Sequence, residues 1–294
     1  MFLSPKVTQY DNHMVMTNVT KPSKTKYVNI DTRFREEYSD YTANSVASCT
    51  ISLPERITEV KSIKVRNAEI PMSMYNISAA IGNNCFQLVD GATKTMIVIP
   101  DGNYSLFYIQ FVITQLLGGA INLSYSLSNT NNKSTIQSTT GSVTVNFAVK
   151  STGEPDVYNF KQKLGWLLGF REPSYTVNTT GITSEAVVDV NGSRYLYLVL
   201  DEFTRGNQNS FIAPLPSSLI RKSILARIAM DPAHYASGQI LTANNHNGLL
   251  LTDTREYTGR VDLQKLSIQL VDEFGNPVSL NGLDYSFCLE VEHE

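Results

Sequence analysis

Four histidines, His13, His234, His246 and His293, are the residues best suited to hold a metal or relay a proton. No two of them stand at the i, i+4 spacing of a helix face or at alternate positions of a strand, so no metal site is expected. The cysteines Cys49, Cys85 and Cys288 are too few and too far apart for a disulfide framework or a cysteine zinc site, which fits a reducing compartment. The adjacent acids Asp201 and Glu202, and Asp272 and Glu273, offer carboxylate pairs of the kind that flank a glycosidic bond. Neighbours on a strand point to opposite faces, so neither pair is expected to converge; solvated strand ends are the plainer reading. Asp189-Val190-Asn191-Gly192 begins like a calcium loop but lacks the later bidentate acid, and reads as a tight turn. No nucleophile elbow, P-loop or dinucleotide fingerprint occurs, and Gly118-Gly119 follows a helix where a phosphate cradle would precede one. The chain is therefore expected not to be an enzyme and to need no cofactor.

The elements that would position these residues are mostly strands. Short alternating runs are expected at 27–31, 46–53, 60–70, 85–89, 95–99, 123–127, 143–149, 186–190, 195–200, 224–230, 266–271 and 285–291, each bounded by turn residues. Pro54 should close the second run and Pro71 the third. In the last strand Tyr285, Phe287, Leu289 and Val291 share one face and Glu290 and Glu292 the other, so a one-residue slip would bury the glutamates. Two helices are expected to interrupt the pattern, over 105–117 and 160–168. The Ser-, Thr- and Asn-rich stretch Ser128–Gly141 reads as the tip of a long exposed hairpin loop. Many short strands without βαβ alternation predict a mainly β fold, an antiparallel jelly-roll β-sandwich with long loops and two short inserted helices.

Composition narrows the function classes. The chain has 294 residues, enough for a substantial core. Its 24 Lys+Arg against 27 Asp+Glu give a net charge of -3 and no overall basic field, so no specific nucleic-acid partner is expected. Only 17% of residues are charged, which suits a surface that meets other subunits. Met1 to His13 has no continuous apolar region, so no secretory signal is expected. The apolar stretch Phe107 to Ile121 is broken by Gln110, Thr114 and Gln115 and is short for a membrane span; membrane contact is not indicated.

Residues 1–26 carry Lys6, Lys21, Lys24 and Lys26 against Asp11 alone, and read either as an extended basic assembly arm or as a frayed terminus. Trp166, the single tryptophan, and Phe170 sit in the glycine-framed run Lys163 to Arg171. They read as a core plug or as an anchor for subunit contact.

The order of several blocks resembles a family. Val28-Asn29-Ile30-Asp31-Thr32-Arg33-Phe34-Arg35, Leu53-Pro54, Ala68-Glu69-Ile70-Pro71 and Met74-Tyr75-Asn76-Ile77 look like the opening of structural proteins of large icosahedral (nucleocytoplasmic) DNA viruses. Ile99 to Tyr104, Lys163 to Phe170, Ile182 to Ala186, Tyr195 to Phe203 and Lys265 to Glu292 continue it. The resemblance spans about residues 27–293 and implies a minor capsid or penton-type protein with a jelly roll at 27–294, in which 95–169 forms an insertion or appendage. It also implies major and minor capsid proteins as partners, a homo-oligomer that is a pentamer if at the vertex, residence in the virion and synthesis in the host cytoplasm. A different reading is a glycan-binding attachment module contacting ligand through Ser128–Gly141 and Thr204–Ser210. A third is a jelly-roll hydrolase dependent on Asp201 or Asp253.

Overall fold

The alternation of Ile63, Val65, Ala68 and Ile70 with polar residues builds the strand at the centre of the molecule, with its apolar side chains fully buried. The computed structural model describes residues 22–36, 47–118, 122–203 and 223–294. In chain order its elements begin with β1 (Lys24–Asp31) and β2 (Ser48–Pro71). An inserted run follows: β3 (Cys85–Asp90), β4 (Thr93–Val98), α1 (Leu106–Leu117), β5 (Leu123–Leu127), β6 (Ser134–Ser138), β7 (Val143–Asn146), the single turn α2 (Leu164–Leu167), β8 (Ser174–Val177) and β9 (Ile182–Thr183). The chain then returns with β10 (Tyr195–Asp201), β11 (Ile224–Ala229), β12 (Ile240–Asn244), β13 (Leu250–Thr252), β14 (Arg255–Val271) and β15 (Ser286–His293).

Every pairing among these strands is antiparallel. Strands β1, β2 and β10 to β15 form one eight-stranded sheet that folds over itself. One layer runs β1, β15, the C-terminal half of β2, then β12. The other runs from the N-terminal half of β2 through β14 and β10 to β11 and β13. The inward faces of both layers, from Ile30 to Val291, make one core. This is the expected jelly roll, and β2 belongs to both layers.

That shared strand corrects the expected break at Pro54. Ser52 pairs with Lys265 and Ile57 with Leu263, so Pro54 lies in a register shift where no ladder partner needs its missing N–H. Glu59, at φ 55, completes the bend, and its N–H donates to Asp262 Oδ1 at 3.1 Å.

The insertion carries a second core, with residues from Ile77 to Val190, so the expected appendage at 95–169 falls inside a longer segment. It is built on the sheets β4-β3-β7-β8 and β5-β6-β9, with α1 against β5. Three expectations need correction here. Residues 186–190 form no strand: the N–H groups of Ala186, Val188 and Asp189 bond the carbonyls of Gly169, Asn132 and Leu167, which satisfies them without a ladder. The expected helix at 160–168 is two pieces, a 3-10 segment over Val157–Gln162 and then α2, because Lys163 between them is extended. Ser128–Gly141 is not all loop but contains β6, in which Ser134 and Ser138 point inward.

Candidate assembly surfaces and the cleft between the two cores

The chain enters the insertion at Asn76 and leaves it near Val190, and one side chain ties the two crossings together. Asn76 Nδ2 donates to the carbonyls of Tyr104 at 2.8 Å and Val190 at 2.5 Å, while its Oδ1 accepts from the Tyr104 N–H at 2.9 Å. A cleft of about 890 Å3 opens beside this staple, with Met72, Met74, Met230 and Tyr235 on the jelly-roll side and Trp166, Arg171 and Asp189 on the other. Among the described residues, side-chain bonds that cross between the two lobes include Asn276 to Gln162 at 2.9 Å and Asn103 to Ser237 at 3.2 Å.

Trp166 is half-buried on the cleft wall. Phe160 meets it edge-on at 5.8 Å between centroids, and the Arg171 guanidinium lies 4.0 Å from its ring centre. Phe170 is fully buried, stacked on Phe147 at 5.0 Å, which places it in the core. The two residues therefore part company: Phe170 is the plug, and Trp166 lines a surface. The framing glycines are steric requirements. A Cβ at Gly165 would stand 2.4 Å from the Phe147 ring, and one at Gly169 2.2 Å from the Ala186 carbonyl oxygen. Lys163 is buried, its ammonium 2.6 Å from Asp156 and 3.1 Å from the Gly82 carbonyl.

The acids are distributed as strand geometry requires. Asp201 is exposed and accepts the Phe203 N–H at 2.8 Å, and Asp253 is exposed and accepts the Thr254 N–H at 2.8 Å. Glu202, expected as a solvated strand-end acid, is instead fully buried, because Arg255 pairs with it at 2.9 Å. Asp272, also expected to be solvated, is buried because it organises the turn after β14, accepting the N–H groups of Phe274 and Asn276 at 2.9 and 2.8 Å. Burial pushes its carboxyl above the ordinary range, and does the same to Glu273, where the neighbouring Asp272 charge adds to it. Asp189 holds a turn with Asn191, as the sequence indicated; burial works to raise its pKa, but the Arg194 bond at 2.8 Å and the Asn191 N–H bring it below the usual carboxylate value. Among the described residues, no three His, Cys, Asp or Glu side chains converge as a metal site would need.

Lys6 and Lys21, and the loop Thr204–Ser210, lie outside the described residues. Lys24 and Lys26 belong to β1, which starts three residues earlier than the expected strand, and Lys26 pairs with Glu55. These two lysines therefore belong to the folded sheet. The aromatic face of α1 went unnoticed in the sequence: Phe107, Tyr108 and Phe111 are exposed, while Ile109, Ile113 and Leu117 hold the helix to the second core. Its signal was the apolar run that reads as too short for a membrane span.

No protein-family model matches the chain, and no curated protein matches it. Among solved structures, the fold is similar to the crystal structure of the selenomethionine-labelled mavirus penton protein. The TM-score is 0.40 at 11% sequence identity, with 93% of this chain and 100% of that chain covered.

Proposed function

We infer that the chain is a structural component of an icosahedral virus capsid, a penton or minor capsid protein that acts by subunit assembly and not by catalysis. The observation that carries this reading is the pairing order of the eight-stranded sheet, a two-layer jelly roll laid over the sequence blocks that resemble capsid proteins of large DNA viruses. Fold alone does not assign function, so the ordered blocks supply the analogy and the sandwich supplies the physical means. Rigid layers hold loops and an inserted lobe in fixed relative positions, and a symmetric shell repeats one modest contact until the closed assembly is stable. The partners on this reading are major and minor capsid proteins and further copies of the chain, five around a vertex, assembled in the virion after synthesis in the host cytoplasm.

Removing residues 1–21 tests the arm without touching β1, which begins at Lys24. The truncated chain should melt at the temperature of the full chain yet enter purified particles in reduced copy number, read by quantitative mass spectrometry of virions. Absence of the full-length chain from particles would overturn the capsid reading. Retention on a glycan array by a chain that never enters particles would replace it with the attachment module.

A further inference from the structure

From Gly102 to Asn132 the sequence contains no charged residue, and α1 lies inside this stretch. A helix on a water-facing surface ordinarily turns charged side chains outward. Here the outward strip is Phe107, 80% exposed, Tyr108, 51%, and Phe111, 50%, with Gln115 beside them and Leu116 at the margin. The rings are ordered against each other. Tyr104 stacks on Tyr108 at 5.6 Å and Tyr108 on Phe111 at 6.2 Å, both at 16° between planes, and the Tyr104 hydroxyl is fixed to the Pro100 carbonyl at 2.6 Å. A prearranged aromatic face loses little side-chain entropy when it is covered.

We propose that this face of α1 packs against the same face of a second copy of the chain, helix against helix about a twofold axis. In such a contact each residue near the axis meets its own counterpart, so any charge there would repel itself. A strip without charge meets that condition, whereas a partner chosen by charge would need charges here to read. A membrane-surface helix would carry Lys or Arg on its polar side, and α1 carries neither. The three rings leave on the order of 350 Å2 open, against about 800 Å2 per partner in a standard stable interface. The pair is accordingly a weak, reversible dimer in dilute solution. Neighbours around a fivefold vertex are related by no twofold axis, so this contact is separate from such a ring and stands whether or not the chain enters a shell.

Sedimentation equilibrium of the full chain over a wide concentration series should show the mean mass climbing from monomer towards dimer. Phe107→Ser with Phe111→Ser should weaken the dimer by at least about tenfold while the melting temperature stays within the wild-type range, since both side chains are exposed. Charge exchange isolates the geometry. Gln115→Lys and Gln115→Glu should each dimerise more weakly than wild type at low salt, and an equal mixture of the two should associate more strongly than either alone. A chain that stays monomeric throughout overturns the proposal, as do aromatic variants that dimerise like wild type or a mixture that gains nothing. Flotation of the monomeric chain with neutral phosphatidylcholine vesicles would assign the face to a membrane and overturn it likewise.

Discussion

Two opposite charges, Arg255 and Glu202, are buried together beside β10. Arg255 donates to Glu202 at 2.9 Å and to the Leu200 and Ser223 carbonyls at 3.0 and 3.1 Å, so its fork ties together the two ends of the segment between β10 and β11. The Tyr257 hydroxyl donates to the other Glu202 oxygen at 2.5 Å. Burial drives that phenol far above its ordinary range, and the Glu202 charge adds to the shift. Both ions have given up water, and each remains tolerable only because the other is present. Arg255→Met should therefore cost about 3–5 kcal/mol, because it strands the carboxylate. Adding Glu202→Gln to that variant should cost much less than the sum of the two single changes, measured by urea unfolding of all three. Simple additivity would show that the pair is not coupled. None of this was legible in the sequence. Asp201-Glu202 reads as a pair of strand-end acids, and strand alternation says only that one of them faces inward. The partner that makes burial possible is more than fifty residues away.

Elements were legible where alternation was strong and illegible where the inward side chains are polar or few. The last strand was readable from its four inward side chains, Tyr285, Phe287, Leu289 and Val291, all of which are buried. By contrast β6 hides behind its composition: its inward residues include Ser134 and Ser138, and Ser134 is satisfied by the Tyr125 hydroxyl at 2.8 Å, not by apolar packing. In β12 only Leu241 and Ala243 face the core, too brief a signal to read as a strand. Pro54 misled for the opposite reason, a strong local signal overruled by a bulge. The segment after α2 shows what a glycine can fix that periodicity cannot. Gly169 has φ +91, and residues 184–186 pack directly over it, with the Ala186 N–H bonded to its carbonyl at 2.9 Å. Gly169→Ala combines a left-handed backbone with a clash against main chain, and should destabilise by more than about 2 kcal/mol. Denaturant midpoints would check this, and a variant as stable as wild type would mean that residues 184–186 can move aside without cost.

For the whole molecule, the sequence conveyed a β-sandwich with an insertion or appendage at 95–169 but not that a second core spans Ile77 to Val190. The jelly roll is closed by β1 against β15, which pairs Lys24 with His293, so its core cannot be complete until nearly the entire chain is in place. The insertion is the reverse. Its core draws on residues from Ile77 to Val190 without interruption, and between it and the jelly roll lies the cleft of about 890 Å3, bridged by side-chain bonds such as Asn276–Gln162. Cores that face each other across an open cleft share little buried surface, so the lobes should unfold as separate units. The chain supplies its own probe, because its single tryptophan, Trp166, lies in the insertion. In a urea titration the Trp166 fluorescence should change at lower denaturant than the far-UV circular dichroism, to which the jelly-roll strands contribute most, since the smaller core buries less apolar surface. Coincident curves would show the opposite, that the Asn76 staple and the cleft contacts bind two cores into one cooperative body. The order of loss follows from the same arrangement: the lobe whose contacts are local in sequence melts first, and the sheet that joins the two ends of the chain melts last.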